Sequence, residues 1–193
     1  MRPYKLTYKR YGERAILIEW PPQIDENILE DIINFKNKIV NYNIKVIVDV
    51  INTYNSLTII YYTTIDNIYN EILTLKSIYK EVAALEQENN YCWYIPVCYD
   101  EYFGHDLKEV SAKNKLPIDE IIALHSSSLY TVFFIGFLPG FLYLGGLPKR
   151  LNLKRRSTPR LLVEKGTCVK YCLALLSGHL IEEKCLVRLR NSF

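Results

Sequence analysis

The sequence has no G-x-x-x-x-G-K-[ST] loop, no G-x-G-x-x-G turn, no H-E-x-x-H and no G-x-S-x-G. The usual signatures of phosphate loops, dinucleotide folds, zinc proteases and serine hydrolases are therefore absent. Its five cysteines (Cys92, Cys98, Cys168, Cys172 and Cys185) form no C-x-x-C pair, and their number is odd. The opening stretch, MRPYKLTYKRYGER, is charged and lacks the apolar centre of a secretory signal. Both features predict a reduced, cytoplasmic protein. The three histidines, His105, His125 and His179, are not spaced as metal ligands, and Cys168, Cys172 and His179 match no common zinc pattern. No metal site is expected. Alanine is scarce, 6 residues against 22 Ile and 16 Tyr, a skew that carries no functional signal.

A clean membrane span is missing too. Residues 126–148 run 23 positions without a charge, long enough to cross a bilayer. Gly136, Pro139, Gly140, Gly145 and Gly146 break the run, and three serines open it. A buried strand leading into a glycine-rich loop is expected there, and no membrane partner. What the chain does have is material for a core: 49% of its residues are apolar and 23% charged. Its length suits one medium domain or two small ones.

Hydrophobic spacing supplies the elements. Residues 4–9 and 14–20 read as strands joined at Tyr11-Gly12. Asp25 caps a helix carrying Ile28, Ile32, Phe35 and Ile39 on one face. Strands follow at 45–50 and 56–62, then a helix over 66–86 with Ile68, Ile72, Leu75, Ile78, Val82 and Leu85 aligned. Residues 86–90 read as a linker, and 91–99 as another strand. The β-α-β-β-α-β order from residue 14 predicts an α+β fold with a ferredoxin-like split βαβ domain over residues 1–88. Beyond it, helices are expected at 106–115 and, behind Pro117, at 118–125. A strand at 129–135, a loop at 136–148 and a strand near 160–163 suggest a β-rich second domain over residues 91–193.

Charge is unevenly placed. Residues 1–100 carry 10 basic and 13 acidic side chains, a net of −3; residues 101–193 carry 14 and 8, a net of +6. Eight basic residues between Lys149 and Lys170 meet only Glu164 along the sequence. Such a run attracts anions or an acidic partner, or is simply a solvated loop. It lacks the interleaved aromatics of a base-stacking surface, so no nucleic acid is expected.

Three groups of residues carry possible chemistry. In Gly136-Phe-Leu-Pro-Gly-Phe-Leu-Tyr-Leu-Gly-Gly-Leu147, glycines allow close backbone approach and Pro139 fixes a turn. Exposed amides there suit an anion or developing oxyanion, with Phe137, Phe141 and Tyr143 lining a pocket. A tight connection with core aromatics fits equally well. In Lys154-Arg-Arg-Ser-Thr-Pro-Arg160, the Arg156 and Arg160 guanidinium groups suit a carboxylate or phosphate, with Thr158 adding a hydroxyl. His125, at the end of a short helix, suits either an acid–base role or a structural cap.

These same residues resemble a known family. Gly136–Leu147, Ile95-Pro-Val-Cys-Tyr99, Phe103-Gly104, Asp106-Leu107, Leu124-His125, the 155–160 run and Tyr11-Gly12-Glu13-Arg14-Ala15 are similar to the 5-oxoprolinase B subunits. That family also takes in the sporulation-kinase inhibitor and allophanate hydrolase subunit 1. The resemblance implies a cyclophilin-like β-barrel as second domain. It also implies partnership with the 5-oxoprolinase A and C subunits, and ATP-dependent opening of 5-oxo-L-proline to L-glutamate, with ATP and magnesium as cofactors. Under it, His125 is the catalytic candidate. Gly136, Phe137, Pro139, Gly140, Tyr143, Gly145, Arg156, Thr158 and Arg160 bind the substrate, with Arg156 and Arg160 clamping the carboxylate. Inhibition of a sensor histidine kinase and an allophanate-hydrolysing role are the alternatives. The pattern departs from the family after Gly166, so residues 167–193 are expected to be atypical, by a frameshift near Thr167 or by divergence. A barrel lacking its closing strands would expose unpaired edges.

Overall fold

The computed structural model describes residues 4–42, 44, 46–81, 91–154 and 186–191, the last of these by backbone alone. It is a mixed α/β chain that divides into two compact units, Met1–Glu88 and Asn89–Ser192.

Alternation builds the first unit. Ile16 and Ile18 in β2 (Ala15–Glu19) and Leu57 and Ile59 in β4 (Ser56–Tyr61) point to one face and are fully buried. They face each other across an antiparallel ladder, Ile16 opposite Ile59 and Ile18 opposite Leu57. Against this face lie α1 (Glu26–Asn41), through Ile28, Ile32, Phe35 and Ile39, and α2 (Ile68–Lys80), through Leu75 and Ile78. Each such side chain stabilises the fold by about 1.5–3 kcal/mol when fully buried. The Asp25 carboxylate accepts from the Asn27 N–H at 2.8 Å and starts α1; the Asn67 side chain does the same for α2 through Asn70. Residues 82–90, with Val82 and Leu85 of the expected face, lie outside the described residues.

The sheet order is β1-β2-β4-β3, with β1 Thr7–Arg10 and β3 Ile47–Asn52, and every pair antiparallel. This corrects the split βαβ expectation. The strand following α2, β5 (Cys92–Pro96), does not join this sheet. Its edge is taken by β1, which the Tyr11-Gly12 turn folds back onto β2; Gly12 sits at φ +71 and the Tyr11 N–H donates to the Ala15 carbonyl at 2.8 Å. A hairpin partner nearby in sequence closes at lower entropic cost than one about seventy residues away.

A polar clamp ties the helices to β2. The Trp20 indole N–H and the Tyr79 hydroxyl both donate to Asp31 Oδ2 at 2.7 Å, and Tyr79 accepts from the Tyr4 N–H at 3.1 Å. Nearby, burial, and secondarily the Asp31 charge, pushes the Tyr8 hydroxyl up to about 12 from its ordinary value of 10.0. The folded chain therefore holds this proton more tightly than the unfolded one. Its contribution to stability is whole below about pH 10 and disappears as pH rises through about 12. Urea midpoints are expected to fall across that window, and Tyr8→Phe to flatten the fall; an unchanged slope would contradict the assignment.

The second unit holds β5, α3 (Leu107–Asn114), α4 (Ile118–Ser127), β6 (Leu129–Ile135), β7 (Leu142–Gly145), a 3-10 turn at Lys149–Leu151 and β8 (Leu186–Asn191). Lys115, at φ 54, ends α3, and Pro117 immediately precedes α4. Val110, Leu116, Ile121 and Leu151 form the core beneath these helices. The sheet order is β5-β8-β6-β7. β8 lies antiparallel to β5 and parallel to β6. A strand of the tail thus lies between β5 and β6 and pairs with both. The described residues of this unit form a four-stranded sheet, and the strand expected near 160–163 lies outside them. Residues 126–148 form the end of α4, β6, a tight hairpin tip and β7, a strand where only loop was expected. No described helix is long and apolar enough to cross a membrane.

Candidate functional site

The β6–β7 hairpin carries most of the expected site, and its register divides that site in two. Ile135 pairs with Leu142 at the tip, and Thr131 with Gly145 toward the base. β6 has seven residues, so its ends stand about 20 Å apart at ~3.3 Å per residue.

At the tip, three amides are used internally: Gly136 N–H to the Phe141 carbonyl at 3.1 Å, Leu138 N–H to Gly136 at 2.8 Å and Phe141 N–H to Leu138 at 3.0 Å. None of these bonds engages the amide of Phe137 or Gly140, and Pro139 has none. Gly140 is left-handed at φ +78, and so is Phe137 at φ 65, unusual for a side chain with a Cβ. Phe137 is 82% exposed, whereas Phe141 is buried. Rings continue inward from the tip: Phe137 meets Phe141 edge-on at 5.7 Å, Phe141 meets Tyr143 at 4.9 Å, and Tyr143 stacks on Phe134 at 4.1 Å. The expected aromatic pocket is instead a ladder with its outermost rung in solvent. A Cβ at Gly136 would meet only ordinary contacts, so that glycine is not sterically required.

His125 lies at the other end. It sits partly buried in the last turn of α4, just ahead of the Leu129 that begins β6. The Tyr99 hydroxyl lies 2.5 Å from His125 Nδ1, with the rings edge to face at 5.8 Å. From β6, the buried Tyr130 donates its hydroxyl to the His125 carbonyl at 3.1 Å, its ring 5.4 Å away. Tyr130 packs with Val132 and Leu144, and Gly146 lies against Leu129 and Tyr130. The Gly145-Gly146 end of the loop thus belongs with His125, and the Gly136–Gly140 end does not. Tyr99 and Tyr130 were not singled out in the sequence as functional. The signal lay in Tyr99 ending the Ile-Pro-Val-Cys-Tyr run and in Tyr130 following His125 by five.

The basic run is only partly described. Arg150 pairs with Glu120 of α4 at 2.5 Å, and the Asn114 side chain donates to the Arg150 carbonyl at 2.9 Å. Part of the charge that looked uncompensated along the chain is therefore met by a distant carboxylate. Arg156, Thr158 and Arg160 lie outside the described residues, as do Cys168, Cys172, Cys185 and His179. Cys92 and Cys98 are free thiols.

Residues 6–169 match the family model of the carboxyltransferase domain, subdomain C and D. The chain belongs to that family. Among curated relatives, the 5-oxoprolinase B subunit of Escherichia coli O157:H7 is 35% identical over 156 residues, covering 81% of this chain and 70% of that protein. Its namesake in Bacillus subtilis (strain 168) is 41% identical over 87 residues, covering 45% of this chain and 36% of the other. Among solved structures, a crystal structure of TTHA0988 superposes with a TM-score of 0.68 at 22% identity, covering 92% of this chain and 40% of that one. The Kluyveromyces lactis urea carboxylase superposes at 0.60 and 17% identity, covering 74% of this chain and 15% of the enzyme. The likeness to these two structures concerns the fold alone. This family member spans less than half the length of either solved chain.

Proposed function

We propose that this chain is the B subunit of an ATP-dependent 5-oxoprolinase, acting with the A and C subunits to open 5-oxo-L-proline to L-glutamate in the cytoplasm. The observation that carries the reading is the 35% identity to a 5-oxoprolinase B subunit over 156 residues. The chemistry of the residues agrees with such a substrate. It bears a carboxylate, which suits the guanidinium groups of Arg156 and Arg160, and Thr158 lies between them in the sequence. It also bears a lactam carbonyl, whose oxygen gains negative charge as the ring opens and requires an N–H donor.

ATP and magnesium belong to the proposal through the family. The described residues do not fit them: no group of three His, Cys, Asp or Glu side chains converges, and the chain has no phosphate loop.

Co-expression with candidate A and C subunits tests the reading. 5-Oxoproline-dependent ATP hydrolysis is expected only when all three are present; hydrolysis at full rate without this chain would refute it. Within an active complex, Arg156→Ala and Arg160→Ala are each expected to lower kcat/KM about 10- to 100-fold, since a hydrogen bond to a charged group contributes about 1.5–3 kcal/mol. Unchanged kinetics in both variants would remove the clamp.

A further inference from the structure

We propose that Tyr99 is a positioning residue that holds His125 as the neutral imidazole protonated on Nε2. His125 then serves as a hydrogen-bond donor to a substrate carbonyl oxygen rather than as a general base. The donor role rests on the functional reading above; the tautomer does not.

The geometry begins with the 2.5 Å separation between the Tyr99 hydroxyl and His125 Nδ1. Two arrangements satisfy that contact: the phenol donates to a bare Nδ1, or a protonated Nδ1 donates to the phenol oxygen. The phenol is a stronger acid than a neutral imidazole N–H, and an imidazole nitrogen is a better acceptor than a phenol oxygen. The first arrangement therefore pairs the better donor with the better acceptor. Once the Nδ1 lone pair is engaged, a neutral ring must carry its proton on Nε2.

Two further contacts keep the imidazole from turning away. The hydroxyl of the buried Tyr130 holds the His125 carbonyl at 3.1 Å, which fixes the backbone from which the ring projects. Tyr99 and Tyr130 also pack against the imidazole, with ring centres at 5.8 and 5.4 Å. The three residues come from three places in the same unit: the segment after β5, the end of α4 and the start of β6.

The consequence is chemical. In this tautomer the basic nitrogen is Nδ1, and Tyr99 occupies it. Nε2 cannot accept a proton while it already carries one, so the ring is unsuited to abstracting a proton there. It is suited to donating a hydrogen bond to an oxygen that gains negative charge, such as the lactam carbonyl of a cyclic amide as its C–N bond is broken. His125 neither gains nor loses a proton in this role.

The test reads the tautomer directly. In a ¹⁵N-labelled full chain, long-range proton–nitrogen correlations distinguish Nε2–H from Nδ1–H rings. The signals of His125 are assigned by their loss in His125→Gln. Wild type is expected to show the Nε2–H pattern for His125, Tyr99→Phe a mixture of tautomers, and Tyr130→Phe the wild-type pattern. A wild-type ring protonated on Nδ1, or a Tyr99→Phe spectrum identical to wild type, would overturn the positioning role. Unaltered amide exchange along β6 shows that Tyr99→Phe remains folded. In an active three-subunit complex, Tyr99→Phe is expected to lower kcat about tenfold with KM unchanged. An unchanged kcat overturns the donor role. A wild-type complex inactive on 5-oxoproline instead refutes the substrate reading, and the tautomer measurement still decides the function of Tyr99.

Discussion

Replacing Gly146 with alanine is expected to destabilise the second unit by about 4 kcal/mol, a large share of the ~5–15 kcal/mol that holds a small domain folded. Gly146 sits at φ +100, a conformation that strains a residue bearing a Cβ by about 1–3 kcal/mol. A Cβ added there would also lie 2.5 Å from the Leu129 carbonyl oxygen and 3.4 Å from the Tyr130 Cα. Both are backbone atoms of β6, which is paired with β7 on one side and β8 on the other and cannot yield as a flexible side chain would. The control is Gly140→Ala at the hairpin tip. That glycine also has positive φ, +78, but a Cβ there meets nothing within 4 Å, so only strain of about 1–2 kcal/mol is expected. Native-state amide exchange along β6 measures both. Equal losses in the two variants would show that the close approach of Gly146 to β6 is unimportant.

Phe35→Ala is expected to cost about 3–5 kcal/mol in the first unit, the usual range for deleting a buried aromatic ring. Phe35 is almost wholly buried at the centre of α1 and touches two aromatic neighbours, Tyr79 at 5.0 Å and Trp20 at 6.2 Å. The loss would open a cavity beside the Trp20–Asp31–Tyr79 clamp, whose hydrogen bonds depend on those rings staying in place. Val40→Ala on the same helix is the contrast: Val40 is exposed, and a change within about 0.5 kcal/mol is expected. Urea unfolding followed by Trp20 fluorescence in a Trp93→Phe background separates the two. A Phe35→Ala midpoint close to that of Val40→Ala would mean that the core tolerates the cavity.

Much of the first unit was legible because its signals are local. The 3.6-residue spacing of Ile28, Ile32, Phe35 and Ile39 and the two-residue spacing of Ile16 and Ile18 each report one face of one element. The strand after α2 was not legible in this way. Residues 91–99 alternate as any strand does, and nothing in that alternation says which sheet will accept it. The same limit hid β7, a four-residue strand inside a glycine-rich run whose pairing with β6 supplies what its own sequence lacks.

The candidate site shows the same division. Sequence alone determined the family, because Gly136–Leu147 and its companion motifs are specific as strings, and it supplied the residue types for binding a carboxylate and a carbonyl. Tertiary structure decided which of those residues are neighbours. Antiparallel register leaves Gly136–Gly140 at the tip of the β6–β7 hairpin and carries Gly145 three residues along β7 from the Ile135–Leu142 pair, about 10 Å toward the base at ~3.3 Å per residue. Residues adjacent in the chain are thereby separated, while Tyr99, His125 and Tyr130, drawn from three different segments, are brought into contact. Even the absences that narrowed the chemistry at the outset, of a phosphate loop and of metal-ligand spacing, concern local patterns. A site assembled across strands leaves no such pattern, because hydrogen bonds depend on distance in space and not on separation along the chain.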